Sequence, residues 1–480
     1  MSFFRTYDFI VLAPDLQNDF EEQRFERIDQ QQLSDTLVEL LQGSYTSKNI
    51  KPIEKDVIYM RINDKYRLIF SAVQYEGKFY AVVHQCLLTH VMEDIPAAYC
   101  SYHELKMRIN RVFKEGTRYI LEEGKLKAYV PEVIALPVLA RYKNRMVGLN
   151  LEQQDALRPS AKASKTIEII SGPPGAGKSL LALEKIVQAV LCAKDSPELT
   201  QIYYLTPTEE MINLMQRQWQ SHPVYNECPE QVNVHILSFA AFLKTREFTP
   251  PGTRIVDSKA FQYWYAEQTP PENLAHISTN RLYQEFRNLL GLKDYASLQL
   301  REVLLFQEET PEARKVLRNS VLSLFKRYQQ FLQDNYYVDP DLCLLPKDLL
   351  MASDTLIMDE SQNLPWHSIT QLYVADTTLL MNVSQAAIGG HSTETLLRHW
   401  AAQHQVHLQF HNLKSAHRCP IALLEVAQHT LDLIPMINPN QKHAITADRN
   451  LLQMPSSTLH AGKRFWVEPS KEALAQIHRS

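Results

Sequence analysis

The sequence predicts an α/β protein: a P-loop domain built on a parallel sheet, interrupted by a helical insertion and preceded by a small α+β domain. From Leu149 onward, short apolar runs alternate with helical patterns, as expected for a parallel sheet covered by helices. Between about residues 245 and 350 the strand patterns disappear and amphipathic helices replace them. A glycine-rich segment, Gly172–Ser179, joins the first strand of this series to its helix. These three observations define the predicted architecture.

Residues 1–110 are expected to form the small α+β domain. The predicted strands are 9–12, 57–61, 66–73 and 79–84, and the predicted helix is 30–41. The turn Tyr75–Lys78 indicates a hairpin between the last two strands. Residues 111–147 are expected to form the end of a basic helix and then an irregular linker through Pro131 and Pro137.

The sheet domain is expected to span 148–244 and 351–435, with the helical insertion at 245–350. Its predicted strands are 166–170, 201–205, 232–237, 355–358 and 378–383, and two of its helices begin at Lys178 and Glu209. Helices of the insertion are predicted at 281–290 and 312–334. Residues 436–480 are expected to be a tail or the start of a truncated second domain of the same kind.

The composition is that of an ordinary globular protein of 480 residues with a formal net charge of −4. Its six cysteines include no C-x-x-C pair and no short Cys/His spacing, which argues against a disulfide framework or structural zinc. A reducing, cytoplasmic environment is therefore expected. Neither a secretory signal nor a run of about 18 uncharged apolar residues is evident, so no membrane partner is expected. The net charge gives no general sign of nucleic-acid binding, which must be argued from local sites.

The segment Gly172–Ser179, here called the phosphate loop, matches G-x-x-x-x-G-K-S/T at every fixed position and lies between a strand and a helix. Glycines let backbone N–H groups point at a phosphate without interference from Cβ atoms. The residues expected to contact the nucleotide are Gly172, Pro173, Pro174, Gly175, Ala176, Gly177, Lys178 and Ser179. Lys178 is expected to reach the β- and γ-phosphates, and the Ser179 hydroxyl to bind Mg²⁺. The simpler alternative is a glycine-rich turn with a surface lysine.

An apolar run at 355–358 ends in two carboxylates, Asp359 and Glu360. Together with the phosphate loop, this pattern predicts that Asp359 binds magnesium and that Glu360 orients or deprotonates the attacking water. Alone, an acidic strand end is usually only the start of a loop. The expected cofactors are therefore ATP and Mg²⁺.

Several segments in a fixed order resemble the motifs of superfamily 1, UvrD-like helicases. Asp359–Leu364 is similar to motif II, whose usual form is D-E-A-Q-D-L, and Leu149–Gln153 resembles the Q motif. Leu413–Pro420 resembles motif IV. The resemblance covers residues 148–435 and implies a RecA-like 1A domain with a helical 1B insertion. It also implies ATP-dependent movement on single-stranded nucleic acid, which is expected to be DNA, with RNA as the alternative.

The resemblance assigns roles to individual residues. Gln153 would hydrogen-bond adenine, Gln385 would sense the γ-phosphate, and Arg418 would be an arginine finger. With Lys178 and Glu360, the last two complete the expected catalytic set. The remaining motif-like segments are Tyr204–Thr208, where motif Ia would contact single-stranded DNA, Val234–Phe242, which resembles the next motif, and Tyr283–Arg287 and Tyr337–Leu342, which resemble the 1B region.

Two departures from the family pattern bear on what this chain is expected to do alone. Motif III usually reads G-D-x-x-Q, but Met381–Gln385 keeps only the glutamine, which puts the coupling of ATP to DNA in question. The sequence stops soon after Gly462–Val467, a candidate first strand of a second RecA-like domain, so motifs V and VI are expected to be missing. ATP binding is therefore expected to outlast turnover, because a positioned arginine contributes strongly to phosphoryl transfer. A non-enzymatic ATP-binding sensor or scaffold is the alternative function.

The amino-terminal domain has a resemblance of its own. Asp64–Phe70 is similar to the central strands of RelE-type ribonuclease toxins, and in that family basic side chains bind an RNA phosphate. The resemblance implies roles for Lys65, Arg67 and His90, and makes a ribonuclease fused to a helicase-like domain a third hypothesis. The competing interpretation is a small sheet with exposed basic residues, in which His84 is a core histidine.

Overall fold

The structure, a computed structural model, describes the chain in segments between residues 6 and 414. The described residues are 6–16, 27–45, 50–54, 57–76, 78–88, 102–131, 137–141, 146–158, 166–173, 175–194, 199–245, 252–268, 272–275, 277–290, 311–342, 345, 349–351, 353–364, 366–374, 376–382 and 393–414. They belong to two compact units, Met1–Gly172 with Gly177–Leu413 and Pro173–Ala176 with Lys414–Ser480. All helices and strands given below belong to the first unit.

A mixed sheet of nine strands forms the amino-terminal part of the described chain. Its strands are β1 (Phe9–Leu12), β2 (Ile50–Glu54), β3 (Val57–Arg61), β4 (Tyr66–Tyr75), β5 (Lys78–Leu88), β6 (Thr117–Glu122), β7 (Lys125–Tyr129), β8 (Val138–Arg141) and β9 (Met146–Leu149). The main order is β2-β3-β4-β5-β1-β6-β7, and β9 pairs with both β4 and β8. The predicted hairpin is confirmed, since Tyr75 pairs with Lys78 where antiparallel β4 and β5 meet.

Among the described residues, α1 (Arg27–Gln42) and α2 (Tyr102–Glu115) are the longer helices that accompany this sheet. Leu33, Leu37 and Leu40 of α1 recur at the spacing of one helix face and are buried in a core shared with Ile10 and Phe70. The helix predicted at 30–41 is thus confirmed, and apolar contact with the sheet explains why it forms.

The prediction of an irregular linker after α2 is wrong, because the segment contains strands β6 to β9. β6 pairs antiparallel with β1, and β6 and β7 form a hairpin in which Glu122 pairs with Lys125. Its two turn residues, Glu123 and Gly124, both have positive φ, which suits a two-residue hairpin turn. β7 is a largely exposed edge strand rich in lysine, so it lacks the apolar run by which the other strands were predicted.

The second sheet has six strands within the described chain, all parallel, in the order β12-β11-β15-β16-β10-β17. They are β10 (Thr166–Ser171), β11 (Thr200–Thr206), β12 (Val232–Ser238), β15 (Thr355–Met358), β16 (Asp376–Met381) and β17 (His407–Asn412). β10 and β15 are buried along their whole length, as expected for interior strands of a sheet covered on both faces. The predicted α/β class and parallel sheet are confirmed.

The helices of this part connect successive strands. They are α3 (Leu151–Leu157), α4 (Lys178–Ala193), α5 (Glu209–Gln220), α6 (Pro223–Asn226), α7 (Phe239–Thr245), α11 (Trp366–Leu372) and α12 (Thr393–His404). Most residues of α4 are buried, so this helix is an interior element of the fold. Across the described segments, the helices are too short or too polar to span a bilayer.

The expected helical insertion contains α8 (Ser258–Ala266), α9 (Thr279–Leu290) and α10 (Pro311–Asp334). It also holds one short parallel pair that was not expected, β13 (Arg254–Ile255) with β14 (Tyr337–Val338). Its core is rich in aromatic side chains around Phe261. Asp339 is buried there and accepts hydrogen bonds from the hydroxyls of Tyr283 and Tyr328 at 2.9 and 3.2 Å. Burial raises the pKa of Asp339 to about 7.

One buried carboxylate joins α4 to the amino-terminal sheet and its helix. Oε1 of Glu184 accepts the Tyr102 hydroxyl at 3.1 Å and the backbone N–H of Arg141 at 3.0 Å. Oε2 lies 3.4 Å from Nζ of Lys106. A single side chain on α4 therefore contacts both α2 and β8.

Candidate functional site

Four residues of the predicted nucleotide site, Gly172, Lys178, Ser179 and Asp359, lie at the carboxyl edge of the parallel sheet. Because the strands run in one direction, their carboxyl ends meet at one edge, where ligands of open α/β sheets bind. β10 leads into Gly172, whose N–H donates to the carbonyl of Met381, at the end of β16, over 3.3 Å. Ser171 accepts the N–H of Leu413, just beyond β17, at 2.8 Å. The phosphate loop therefore leaves the sheet between two neighbouring strand ends.

The turn into α4 requires glycine at its last position. Gly177 is the N-cap residue of α4 and has a φ of +96°, in the left-handed region. A Cβ atom on Gly177 would also lie only 2.5 Å from Nε2 of Gln153. The loop residues Pro173–Ala176 belong to the second compact unit. Within this segment, Gly175 has a φ of +82° and the N–H of Ala176 donates to the carbonyl of Pro173 at 3.1 Å.

Replacing Gly177 with alanine should destabilise the fold more than the same change at Gly252. Both glycines have positive φ, +96° and +85°, so each variant acquires backbone strain of about 1–2 kcal/mol. The new methyl group meets Gln153 at position 177 but enters open space at position 252. We expect the free energy of unfolding in urea to fall at least about 1 kcal/mol further for Gly177→Ala. Equal losses would show that Gln153 moves aside without cost.

Lys178 and Ser179 begin α4, and their side chains lie close to Gly172 and Asp359 respectively. Lys178 is buried, and its Nζ donates to the carbonyl oxygen of Gly172 at 2.8 Å. Oγ of Ser179 lies 3.5 Å from Oδ2 of Asp359, at the outer limit of a hydrogen bond. The fold thus brings together residues that are 180 positions apart in the chain.

Asp359 follows β15 directly and is almost fully buried. Its N–H donates to the carbonyl of Leu205 at 2.8 Å, which extends the pairing of β15 with β11 by one residue. Oδ1 accepts the N–H of Glu360 at 2.9 Å, and Oδ2 accepts the hydroxyl of Tyr204 at 2.6 Å. These contacts fix the position of the carboxylate at the edge of the sheet.

Glu360 occupies an unusual backbone conformation. Its φ is +52° and its ψ is +36°, a left-handed geometry that side chains other than glycine rarely adopt. Nε2 of Gln362 donates to its carboxylate, and Oε1 of Gln362 accepts the N–H of Asn382 at 3.0 Å. Strain of this kind persists only where surrounding contacts hold it, and it is common at functional sites. Gln362 therefore connects the segment Asp359–Leu364, here called the acidic loop, to the end of β16.

The charged groups of the site perturb one another. Burial lowers the pKa of Lys178, and the nearby carboxylates of Glu360 and Asp359 oppose that shift. Burial raises the pKa of Asp359, and the hydrogen bond from Tyr204 opposes it. Desolvated groups with specific charge partners are typical of functional sites, although structural ion pairs also produce them.

Gln153 lies next to the phosphate loop, but its carbonyl oxygen has a structural partner. Oε1 accepts the N–H of Asn150 at 3.1 Å, and the N–H of Gln153 donates to Oδ1 of Asn150 at 2.8 Å. This reciprocal pair is a capping box that starts α3. The spacing Asn150-x-x-Gln153 is a sequence signal for such a cap, which the resemblance to the Q motif did not predict. A contact with adenine stays a prediction.

The segment expected to contact a nucleic-acid strand as motif Ia is mostly inside the protein. Tyr204, Leu205 and Thr206 are buried, whereas Pro207 and Thr208 are exposed. The Thr208 hydroxyl accepts the N–H of Met211 and caps α5. The first three side chains belong to an interior strand, and contact of this segment with single-stranded DNA stays a prediction.

The helical insertion contacts the acidic loop through an arginine. Nη2 of Arg287, on α9, donates to the carbonyl of Asn363 at 2.6 Å, three residues after Glu360. The Nε atom of the same side chain lies 3.6 Å from a carboxylate oxygen of Asp341. Arg287 lies in a segment that resembles the 1B region, and that resemblance predicted no individual role for it.

The amino-terminal candidates have ordinary structural surroundings. Arg67 donates to the backbone carbonyls of Asn63 and Tyr66, the latter at 2.9 Å, and Lys65 is exposed. His84 is a buried core residue, as predicted, and lies 2.9 Å from the hydroxyl of Ser71. Burial lowers the pKa of His84 to about 3.

Four of the predicted residues lie outside the described residues: Pro174, Gln385, Arg418 and His90. Neither Tyr204 nor Gln362 was predicted to act at the acidic strand end, although each donates a hydrogen bond to one of its two carboxylates. Gln362 lies in the segment that resembles motif II, which is a usable signal. Tyr204 gave none, because an apolar strand commonly contains a tyrosine.

Comparisons with known proteins find no match for this chain, either among models of protein families or among curated proteins.

Proposed function

We propose that this chain binds ATP and magnesium as the ATPase part of a superfamily 1, UvrD-like helicase or translocase. The observation that carries the proposal is the meeting of Lys178, Ser179 and Asp359 at the carboxyl edge of the parallel sheet. Ser179 and Asp359 are 3.5 Å apart at their nearest oxygens. A glycine-rich turn with a surface lysine does not require a buried lysine or an acidic partner.

The donor set fits magnesium. Mg²⁺ prefers oxygen ligands and is usually bound by one or two carboxylates together with phosphate oxygens of the substrate. The Ser179 hydroxyl and the Asp359 carboxylate are the oxygens that would hold it. No group of three or more His, Cys, Asp or Glu within the described residues is placed to bind a metal, so phosphate oxygens would complete the ligand set. When bound, the metal neutralises negative charge on the phosphates.

The protein side chains supply the remaining functions. Lys178 would exchange its contact with the Gly172 carbonyl for the β- and γ-phosphates, because the attraction between opposite charges is stronger at a buried position than in water. Glu360 would accept a proton from the attacking water or orient it, with its carboxylate held by Gln362. The N-terminus of α4 adds a favourable field for the anion.

The order of the motif-like segments supports a RecA-like 1A domain and single-stranded nucleic acid as the partner. The contact of Arg287 with the Asn363 carbonyl supports communication between the helical insertion and the acidic loop. A protein that couples ATP to movement needs such a connection between the nucleotide site and a second region.

Measuring ATP binding and hydrolysis with and without single-stranded DNA tests the proposal. Lys178→Ala removes a charge that would contact phosphates, so ATP affinity should fall about 10–100-fold. Lys194→Ala is the matched control, because Lys194 lies just beyond the other end of α4 and pairs with Glu227. It should bind ATP like the unmodified protein.

DNA-stimulated hydrolysis that Lys178→Ala abolishes would support a motor. Tight ATP binding with no hydrolysis, with or without DNA, would instead assign the chain as an ATP-binding sensor or scaffold. Absence of ATP binding, or equal binding by Lys178→Ala, would contradict the nucleotide site.

A further inference from the structure

A tyrosine hydroxyl is buried against the acidic end of β15. Tyr204, on β11, is 1% exposed, and its hydroxyl donates to Oδ2 of Asp359 over 2.6 Å. A hydroxyl–carboxylate bond of this length is about twice as strong as a bond between neutral groups. Loss of the hydroxyl would deprive a buried carboxylate of one of its donors.

The pairing of β11 with β15 brings the two residues together. Tyr204 lies beside Ile357 in this register, and Leu205 lies beside Met358. Asp359 then continues the pairing through its N–H bond to the Leu205 carbonyl. β11 has β12 on its other side, so the tyrosine projects from an interior strand whose backbone is held along both edges.

The two oxygens of the Asp359 carboxylate are held from different directions. The N–H of Glu360 binds Oδ1 at 2.9 Å, and Tyr204 binds Oδ2. These two donors, one on each oxygen, restrict rotation of the carboxylate plane. The oxygen that Tyr204 holds is also the one 3.5 Å from Oγ of Ser179.

We infer that Tyr204 is a positioning residue that holds the Asp359 carboxylate in the orientation in which it binds magnesium beside Ser179. The inference rests on the proposed ATP and magnesium site. Tyr204 acts through Asp359, because its hydroxyl bonds to that carboxylate. Removing a group that hydrogen-bonds a metal ligand commonly weakens metal affinity by about 10–100-fold.

The test compares Tyr204→Phe with Tyr203→Phe. Tyr203 is the preceding residue of the same strand and is also buried, but it points to the opposite face and packs on Phe242. The binding of a fluorescent ATP analogue is measured first in EDTA and then with increasing Mg²⁺. Tyr204→Phe should raise the Mg²⁺ concentration for half-maximal enhancement about 10-fold and leave binding in EDTA unchanged. Tyr203→Phe should change neither quantity.

A double-mutant cycle with Asp359→Asn separates positioning from a general structural role. If Tyr204 acts through Asp359, adding Tyr204→Phe to Asp359→Asn should not alter the Mg²⁺ dependence further. Equal additional loss in both backgrounds would overturn the inference. So would a Tyr204→Phe protein whose Mg²⁺ dependence matches the unmodified protein.

Melting temperatures and denaturant midpoints keep the result interpretable if the variant is destabilised. The ring remains in Tyr204→Phe, so a shifted Mg²⁺ midpoint at an unchanged denaturant midpoint supports positioning. Reduced affinity in EDTA and Mg²⁺ alike would indicate a damaged fold and count against the inference. If the unmodified protein binds no ATP under any condition, the proposed function fails and this inference fails with it.

Discussion

Replacing Glu360 with glutamine should slow ATP hydrolysis at least about 100-fold while ATP binding stays close to that of the unmodified protein. The side chain follows the proposed metal ligand Asp359 directly, and a general base typically contributes at least this factor. Glutamine keeps the size of the side chain and one oxygen that can accept the hydrogen bond from Gln362. The loss should therefore fall on the chemical step and spare the affinity for nucleotide.

Single-turnover hydrolysis and equilibrium binding of ATP, measured in the presence of Mg²⁺, check this expectation. Glu210→Gln is the control, because Glu210 is an exposed residue in the first turn of α5. If Glu360→Gln hydrolyses ATP at the rate of the unmodified protein, Glu360 does not act on the attacking water, and its left-handed backbone geometry has only a structural role. If the unmodified protein binds ATP without hydrolysing it, the sensor or scaffold function takes precedence.

The second large effect should come from Glu184, and it does not depend on the proposed function. Glu184→Ala should lower the free energy of unfolding by about 3–5 kcal/mol, because removing one member of a buried charged network leaves its partners desolvated. The carboxylate accepts hydrogen bonds from Tyr102 and from the backbone of Arg141, and it pairs with Lys106. The loss should loosen the attachment of α4 to α2 and β8.

Urea denaturation of Glu184→Ala and Glu184→Gln measures this contribution. Glutamine keeps one oxygen for Tyr102 and Arg141 but no charge for Lys106, so its loss should be intermediate. Exposed Glu210→Ala serves as the reference and should cost less than about 1 kcal/mol. A Glu184→Ala protein as stable as the Glu210→Ala reference would show that the network contributes no net stability.

Local sequence patterns predicted the elements that carry the candidate site. The apolar run at 355–358 predicted β15 with its observed bounds, because an interior strand of a parallel sheet is apolar on both faces. The phosphate loop motif predicted where α4 begins, at Lys178. Both signals are local, since an apolar run and a glycine-rich turn can each be recognised within a few adjacent residues.

Local sequence patterns did not predict the elements whose side chains are mostly exposed. β7 was not predicted because it is largely exposed and contains two lysines, so it lacks the apolar run of the other strands. The hairpin turn at Glu123–Gly124 was not predicted either. The role of Gln153 in capping α3 was overlooked for a different reason. The resemblance of Leu149–Gln153 to the Q motif predicted a contact between Gln153 and adenine, whereas the same residues also carry the pattern of a capping box.

By itself, the sequence determined the α/β class, the helical insertion and the positions of the phosphate loop and the acidic strand end. Only the tertiary structure decided that β11 lies beside β15, which turns Tyr204 toward Asp359, and that Glu184 on α4 meets Tyr102. Contacts of this kind join residues that are far apart in the chain. They depend on strand order and register, which result from packing the whole sheet and its helices and not from the periodicity of any one segment.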